Sequence, residues 1–332
     1  MRILITGGLG FIGSQVAVSA ISDGHEVVIL DDESTGRATA VERIRRVTGI
    51  APQRVTRDVR SPDALDAVLE QGIDTVIHCA GAKSVGDSVH TPLKYYDINV
   101  GGTMRLLERM AANGVNRLVF SSSATVYGAP ERLPLTEDSM VGFGLTNPYG
   151  RTKYIAELLL QDAANAHPEL EITLLRYFNP IGAHESGLIG EDPSSRPTNV
   201  FPLIAEAAVG ARDHVVVFGD DYATPDGTGV RDYIHVTDLA DGHLAAVAGL
   251  RPGVQTFNLG TGRGTSVLEL IHEYERASGN PIEYIIGERR QGDVASCYAD
   301  AAKAATELGW TARRTVADAC EDSWKWQKTL HG

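Results

Sequence analysis

Cysteine is scarce. Cys79, Cys297 and Cys320 are the only three in 332 residues, an odd number with no CxxC pair and no histidine at ligand spacing. Such a set builds neither a disulfide framework nor a zinc site, so no metal is expected and a reducing compartment is. Long apolar runs are lacking too: no stretch of 18 occurs, and the opening MRILITGG has no charged, apolar and cleavage segments in order. No membrane contact is expected, and the cytoplasm is the expected location. Positive charge is short, 30 Lys plus Arg against 43 Asp plus Glu, a net charge of −13. That sign repels phosphate backbones and anionic lipid, which argues against nucleic acid as a partner. An anionic small molecule can bind only where arginines gather in one cleft, because local potential decides. Repeats and low-complexity tracts are absent. What is present, 43% apolar and 22% charged residues, is a globular mixture, long enough for about two compact units.

Short apolar runs recur at Ile3 to Ile5, Val27 to Leu30, Val55, Thr75 to Ile77, Arg117 to Phe120 and Ile172 to Leu175. Between them Phe11 to Ile21, Pro62 to Glu70, Val100 to Asn113 and Tyr149 to Ala166 carry apolar residues at three and four spacing. Alternation of this kind reads as βαβ units, an α/β fold with a doubly wound parallel sheet. Ser61 before Pro62 marks a helix start. After Phe178 the texture turns to Gly- and Pro-rich loops with helical pieces at Phe201 to Val209, Asp238 to Ala248, Val267 to Ala277 and Ala301 to Leu308. Residues 1–180 are therefore expected to form a nucleotide-binding unit and 181–332 a smaller mixed α/β substrate lobe.

Gly7, Gly10 and Gly13 lie between the first strand and the first helix. Glycines there allow a tight turn, close approach of backbone N–H groups to a pyrophosphate and close helix–strand packing. Asp31 ends the second strand 18 residues after Gly13, near the ~20 expected of a carboxylate that accepts a ribose hydroxyl. It favours NAD and would repel a 2′-phosphate; Arg37, six residues on and behind Asp32 and Glu33, is poorly placed to reverse that choice. Asp58, after the third strand, is expected to reach the adenine.

Tyr149 and Lys153 share one face of a helix by their four-residue spacing. A phenol titrates near ~10, so acting as a base at neutral pH needs nearby positive charge, which an ammonium and an oxidised nicotinamide can supply. Ser121, Ser122 and Ser123 close the strand before this helix, where a hydroxyl can share a proton with a substrate hydroxyl.

Five segments, TGGLGFIG at 6–13, SSSATVYG at 121–128, NPYGRTK at 147–153, RYFNPIGAHESGLIGEDP at 176–193 and DGTGVRDYIHVTDLADGH at 226–243, span nearly the whole chain. Together they resemble the extended short-chain dehydrogenase/reductase family, and within it the enzymes that epimerise UDP-sugars at C4. The resemblance implies a Rossmann-type fold, NAD as cofactor, a UDP-hexose as substrate and a homodimer joined through the helices at Val100 to Asn113 and Tyr149 to Ala166. It implies Ser123, Tyr149 and Lys153 as catalytic residues. Cofactor contacts are implied for Phe11, Ile12, Asp31, Asp58, Val59, Lys83, Asn99, Tyr149, Lys153 and Phe178, beside Gly7, Gly10 and Gly13. Substrate contacts are implied for Ser123, Tyr149, Asn179, Asn199, Phe218, Arg231, Arg290 and Asp293. Arg231 and Arg290 would supply the local positive field that the acidic whole lacks, Phe218 can stack on a flat base, and Asp293 can accept ribose hydroxyls.

The implied reaction interconverts UDP-galactose and UDP-glucose by transient oxidation at C4. Cys297 stands where relatives with a bulky Tyr restrict the hexose pocket, so room for an acetamido group, and turnover of the N-acetylated UDP-hexosamines, is expected. The nearest alternatives are a related sugar-nucleotide epimerase, dehydratase or decarboxylase. The dehydratases carry an Asp-Glu pair after the catalytic hydroxyl residue, where this chain has Ala124 and Thr125. A non-catalytic NAD-binding sensor would be marked by loss of Tyr149 or Lys153, and both are present.

Overall fold

Alternate residues of the first strand enter different cores. Ile3 and Ile5 join one cluster with Val27, Ile29, Val119 and Leu175, while Leu4 joins another with Val28, Leu30, Leu118 and Phe120. A strand whose two faces are both covered must be apolar at every position, which is why these strands read as continuous runs. The computed structural model describes residues 1–130, 132–192, 197, 199–290 and 292–331.

In chain order, β1 (Arg2–Thr6), α1 (Phe11–Ser22), β2 (Glu26–Asp31), α2 (Thr39–Thr48), β3 (Gln53–Thr56), α3 (Pro62–Leu69), β4 (Thr75–His78), α4 (Val85–His90) and α5 (Pro92–Tyr95) lead into a π-helical turn, Tyr96–Gly101. Then come α6 (Gly102–Ala112), β5 (Arg117–Ser123), α7 (Pro148–Ala166), β6 (Glu171–Tyr177), β7 (Asn179–Ile181), α8 (Val200–Ala208), β8 (Val215–Phe218), β9 (Val230–Arg231) and β10 (Tyr233–His235). The remainder is α9 (Val236–Ala248), β11 (Gly253–Leu259), β12 (Thr265–Ser266), α10 (Val267–Ser278), β13 (Tyr284–Gly287), β14 (Ser296–Cys297), α11 (Ala302–Leu308) and α12 (Val316–His331).

Among the described residues seven strands form one sheet in the order β11-β6-β5-β4-β1-β2-β3, and every neighbouring pair is parallel. The order reverses between β1 and β4, and a doubly wound sheet opens its ligand crevice at the carboxyl ends of the strands on either side of such a point. Three small sheets, β10-β7, β12-β9-β14 and β13-β8, lie outside it.

The expected division near residue 180 is not a clean cut. Residues 1–180 supply six of the seven strands, but β11 returns to pair with β6 along seven residues, Gly253 to Leu259. Helix α9 also returns: its Leu239, Ala240 and Leu244 share a core with Val16, Ala17 and Ile21 of α1. An outer parallel strand needs a crossover helix to cover it, so the two come back together. A separate cluster around Phe201, Ile204, Tyr233, Leu270 and Tyr274 joins β7, β8 and β10 to α8, α10 and α12.

Local differences have plain causes. Strand β5 runs past Phe120 through all three serines, because Ser121 to Ser123 keep their register against Leu175 to Tyr177 of β6. Helix α2, not anticipated, buries Ala40 and Ile44 fully and packs Val41 and Val47 partly against the same core, with its four charged residues on the other positions. The Ser61 hydroxyl caps α3 by accepting from Ala64 N, with Pro62 in the first turn, as expected.

Candidate active site

The glycine turn fits a pyrophosphate. Gly7 has φ +71°, and a Cβ there would lie 2.7 Å from Ala80 N; a Cβ on Gly13 would lie 2.3 Å from Gly7 O. Side chains at these positions would push the start of α1 away from β1 and β4, so glycine keeps the helix N-terminus, with Gly10 as its cap, close to the crevice. Phe11 and Ile12 open α1 at this edge.

The Asp31 carboxylate is buried and accepts from Leu9 N at 3.0 Å and Glu33 N at 2.8 Å. Burial raises its pKa against those two hydrogen bonds. It thus braces the glycine turn, and each oxygen keeps acceptor capacity for a ribose hydroxyl. Arg37 faces Asp192, Nε to Oδ1 at 2.9 Å.

Several expected cofactor contacts are engaged within the protein. Asp58 pairs with Arg60, whose Nε stands 3.0 Å from each carboxylate oxygen, and this partner lowers its pKa. Lys83 Nζ is 2.8 Å from Glu191 Oε1. The Asn99 amide accepts from Ala82 N at 2.8 Å and donates to Ala82 O at 3.1 Å and Thr152 Oγ1 at 2.9 Å, so it ties the loop after β4 to α7. Val59 is buried beside Leu65 and Leu106.

Helix α7 starts where its sequence says it should. Asn147 Oδ1 accepts from Gly150 N at 2.8 Å and Pro148 occupies the first turn, so Tyr149 and Lys153 project from the first two turns. The three serines divide by strand alternation and end position. Ser121 Oγ lies 3.1 Å from His243 Nε2, and Ser122 donates to Glu157 Oε1 at 2.5 Å. Ser123 accepts from Thr125 N and Thr125 Oγ1, and its hydroxyl works to lower the pKa of the Tyr149 phenol.

Both members of the tyrosine–lysine pair are buried. Burial raises the Tyr149 phenol above its ordinary value, opposed by the Ser123 hydrogen bond. Burial also draws Lys153 down to about 8, opposed by Cys79 and Glu157. Desolvation thus outweighs Ser123 at the phenol, and the lowering expected of it calls for the oxidised nicotinamide as well as the ammonium. Lys153 Nζ donates to Ser121 O at 2.8 Å and sits 4.9 Å from the Phe120 ring centre. His78 is pushed to about 3 by burial and by Lys153, so it stays neutral between Thr6 and Thr103.

Three of the expected substrate residues, Arg231, Asp293 and Cys297, meet at β9. Arg231 is opposite Cys297 in the parallel β9–β14 pair, and its Nη2 is 3.6 Å from Asp293 Oδ1. Arg290 lies 4.1 Å over the Phe218 ring, so one face of that ring is already covered and a base can use only the other. Asn199 caps α8 without a side-chain cap bond, and exposed Asn179 donates its backbone N–H to Asp232 O. Phe178 is buried with Val126, Tyr127, Leu135 and Ala299, and Cys297 packs against that cluster. Cys297 is pushed up to about 11 by burial, so it is an uncharged thiol.

Two groups were missed in the sequence. Asp232 is fully buried and accepts from Thr261 N, Thr261 Oγ1, Gly262 N and Ala299 N, fastening the loops beside Arg231 and Cys297. Behind the serines, Arg176 Nη2 donates to Glu157 Oε2 at 2.7 Å, both buried, and Nη1 reaches Tyr127 Oη at 3.3 Å. Glu157 stands four residues after Lys153, a spacing that could have signalled it. Among the described residues no three His, Cys, Asp or Glu side chains form a group able to hold a metal ion.

Comparison with known proteins decides the family. Residues 3–260 match the model of the NAD dependent epimerase/dehydratase family. The chain belongs to that family. Within it, the chain is 50% identical over 332 residues to the UDP-glucose 4-epimerase of Bacillus subtilis (strain 168), covering 99% of this chain and 97% of the relative. It superposes on the UDP-glucose 4-epimerase of Bifidobacterium longum, solved in complex with NAD+ and UDP, with a TM-score of 0.96 at 49% identity, covering 99% and 98% of the two chains. A Stenotrophomonas maltophila UDP-glucose-4-epimerase with bound NAD and formylated UDP-arabinopyranose gives the same TM-score, 0.96, and 49% identity over 99% of this chain and 98% of its own.

Proposed function

We propose that this chain is an NAD-dependent isomerase that interconverts UDP-galactose and UDP-glucose through transient oxidation at sugar C4. The observation that carries the reading is the junction of Ser123, Tyr149 and Lys153 at the carboxyl end of β5, on the same edge of the sheet as the glycine turn after β1, in a chain near 50% identical to epimerases over its whole length. The glycine turn would hold the pyrophosphate, Asp31 the adenosine ribose, and Phe178 and Lys153 the nicotinamide end. NAD, when bound, supplies a hydride acceptor and donor at C4.

The chain's own residues handle protons and position. Tyr149 takes the proton of the C4 hydroxyl and gives it back, with Ser123 bonded to the same oxygen. Lys153 brings positive charge into a dry site, where charge acts strongly on a phenol. Arg231, Arg290, Phe218, Asn199 and Asp293 hold the nucleotide away from the reacting carbon, and Asn179 contacts the substrate from the floor of the site, next to Phe178. Firm holding of the nucleotide leaves the hexose free to present either face of C4, a division in which remote contacts supply the binding energy. Cys297, smaller than Tyr, leaves room beside Phe178 for an acetamido group, so N-acetylated UDP-hexosamines are secondary substrates.

A homodimer and a cytoplasmic setting belong to the same proposal. Large apolar side chains are exposed on α4, α5, α6 and α7: Val89, Leu93, which is 81% exposed, Met104 and Leu158. Such a patch favours association with a second copy. All three cysteines are free, as a reducing compartment requires, and among the described residues no helix is long and apolar enough to cross a membrane.

The test is a proton NMR time course with UDP-galactose and UDP-N-acetylgalactosamine together and NAD supplied. Conversion of both to their gluco epimers is expected. Failure to convert UDP-galactose would overturn the reading, and failure with the acetylated sugar alone would overturn the role given to Cys297.

A further inference from the structure

We propose that Ile189, Gly190, Glu191 and Asp192 form a clasp across the dinucleotide crevice that slows cofactor release; the inference rests on the NAD-binding reading above. Three of these four residues touch the segments that follow β1, β4 and β2, three adjacent strands of the sheet. Ile189 O accepts from Gln15 Nε2 on α1, after β1, at 3.2 Å. Glu191 Oε1 is 2.8 Å from Lys83 Nζ, after β4. Asp192 takes Arg37 Nε at 2.9 Å and Arg43 Nη1 at 2.8 Å, both after β2.

The sheet order is β4-β1-β2, so the adjacent Glu191 and Asp192, met by the long Lys83 and Arg37 side chains, link segments that follow strands two spacings apart, about 10 Å, on either side of β1 and its glycine turn. That is where the pyrophosphate lies in a doubly wound fold. A dinucleotide seated beneath the clasp leaves only after these contacts part.

The clasp is also supported from the far end of the chain. Trp326 of α12 donates Nε1–H to Glu191 O at 3.0 Å. A Cβ on Gly190 would lie 2.4 Å from the Trp326 ring, so only glycine lets the backbone rest against the indole. The Arg43 guanidinium stands 4.6 Å over the same ring while its Nη1 bonds Asp192, which joins ring, arginine and carboxylate in one contact set. Glu191 and Asp192 side chains are 19% and 15% exposed, so solvent screens these pairs only in part.

The test follows exchange rather than turnover. Wild type, Asp192→Asn and Trp326→Phe are loaded with radiolabelled NAD and chased with excess unlabelled NAD, and bound label is measured after rapid desalting at low and high salt. Both variants are expected to lose label roughly three- to tenfold faster than wild type at low salt, the loss rate of wild type rising with salt more than that of Asp192→Asn. Asp192→Asn keeps the side-chain shape and decides the matter if Trp326→Phe fails to fold. Uptake with wild-type release rates in Asp192→Asn at every salt overturns the clasp alone. No uptake by the wild type overturns the functional reading and the clasp with it.

Discussion

Lys153 donates from Nζ to the backbone carbonyl of Ser121 at 2.8 Å, two residues before Ser123. One contact thus fixes the second turn of α7 against the end of β5, and it sets the distance between the hydroxyl on the strand and the phenol on the helix. Asn99, bonded to Thr152 and to the loop after β4, braces the same helix from the other side.

The phenol is the first target. Tyr149→Phe keeps the ring and removes the group that moves the proton, so kcat is expected to fall between about a hundred- and ten-thousandfold. KM for UDP-galactose should stay close to wild type. Steady-state kinetics check this, and a matching loss in KM would show that Tyr149 serves binding instead.

Lys153 carries a stability prediction with a definite sign. Burial draws its pKa from 10.5 to about 8, so the unfolded chain holds the proton more tightly. The charged amine therefore costs the fold stability in full below about pH 8, and the cost fades as pH climbs toward 10.5. Lys153→Met removes it and is expected to raise unfolding free energy at pH 7 by roughly 1 to 3 kcal/mol, less at pH 10, while turnover is lost. Urea unfolding at the two pH values measures the difference; equal changes at both would contradict the burial argument.

Glu157→Gln breaks the buried pair with Arg176 and leaves the guanidinium without its counter-charge. A loss of about 3 kcal/mol is expected, the ordinary cost of orphaning one member of such a pair. Ser122 loses its carboxylate acceptor too, so kcat should fall with KM little changed. Unfolding and kinetics on one preparation separate the two effects.

At the substrate end, Arg231→Ala is expected to raise KM for UDP-galactose roughly tenfold or more, with a much smaller change in kcat, since charge-assisted contacts to phosphate are lost away from the reacting carbon. Cys297→Tyr should spare UDP-galactose and abolish conversion of UDP-N-acetylgalactosamine. The ratio of the two activities reads out the pocket directly.

Much of this was legible before the structure. The central strands read as apolar runs because both their faces are buried, and the three and four spacing from Tyr149 to Ala166 placed α7 to within a residue. The serines did not announce their different partners, because that depends on which face of β5 meets α7 and which meets α9. Lys83 and Asn99, expected at the cofactor, have partners, Glu191 and Thr152, that come from distant segments which spacing does not encode, whereas Arg60, the partner of Asp58, lies only two residues away. The return of β11 and α9 to the first layer was hidden for the same reason: an apolar strand looks alike in either sheet.

The most direct measurement uses UDP-galactose deuterated at C4, incubated with the enzyme and NAD in ordinary water, with the UDP-glucose formed examined by NMR. Transient oxidation at C4 predicts that deuterium is retained at C4 of the product, because the hydrogen leaves and returns without meeting solvent. Replacement by a solvent proton at C4 would contradict the account.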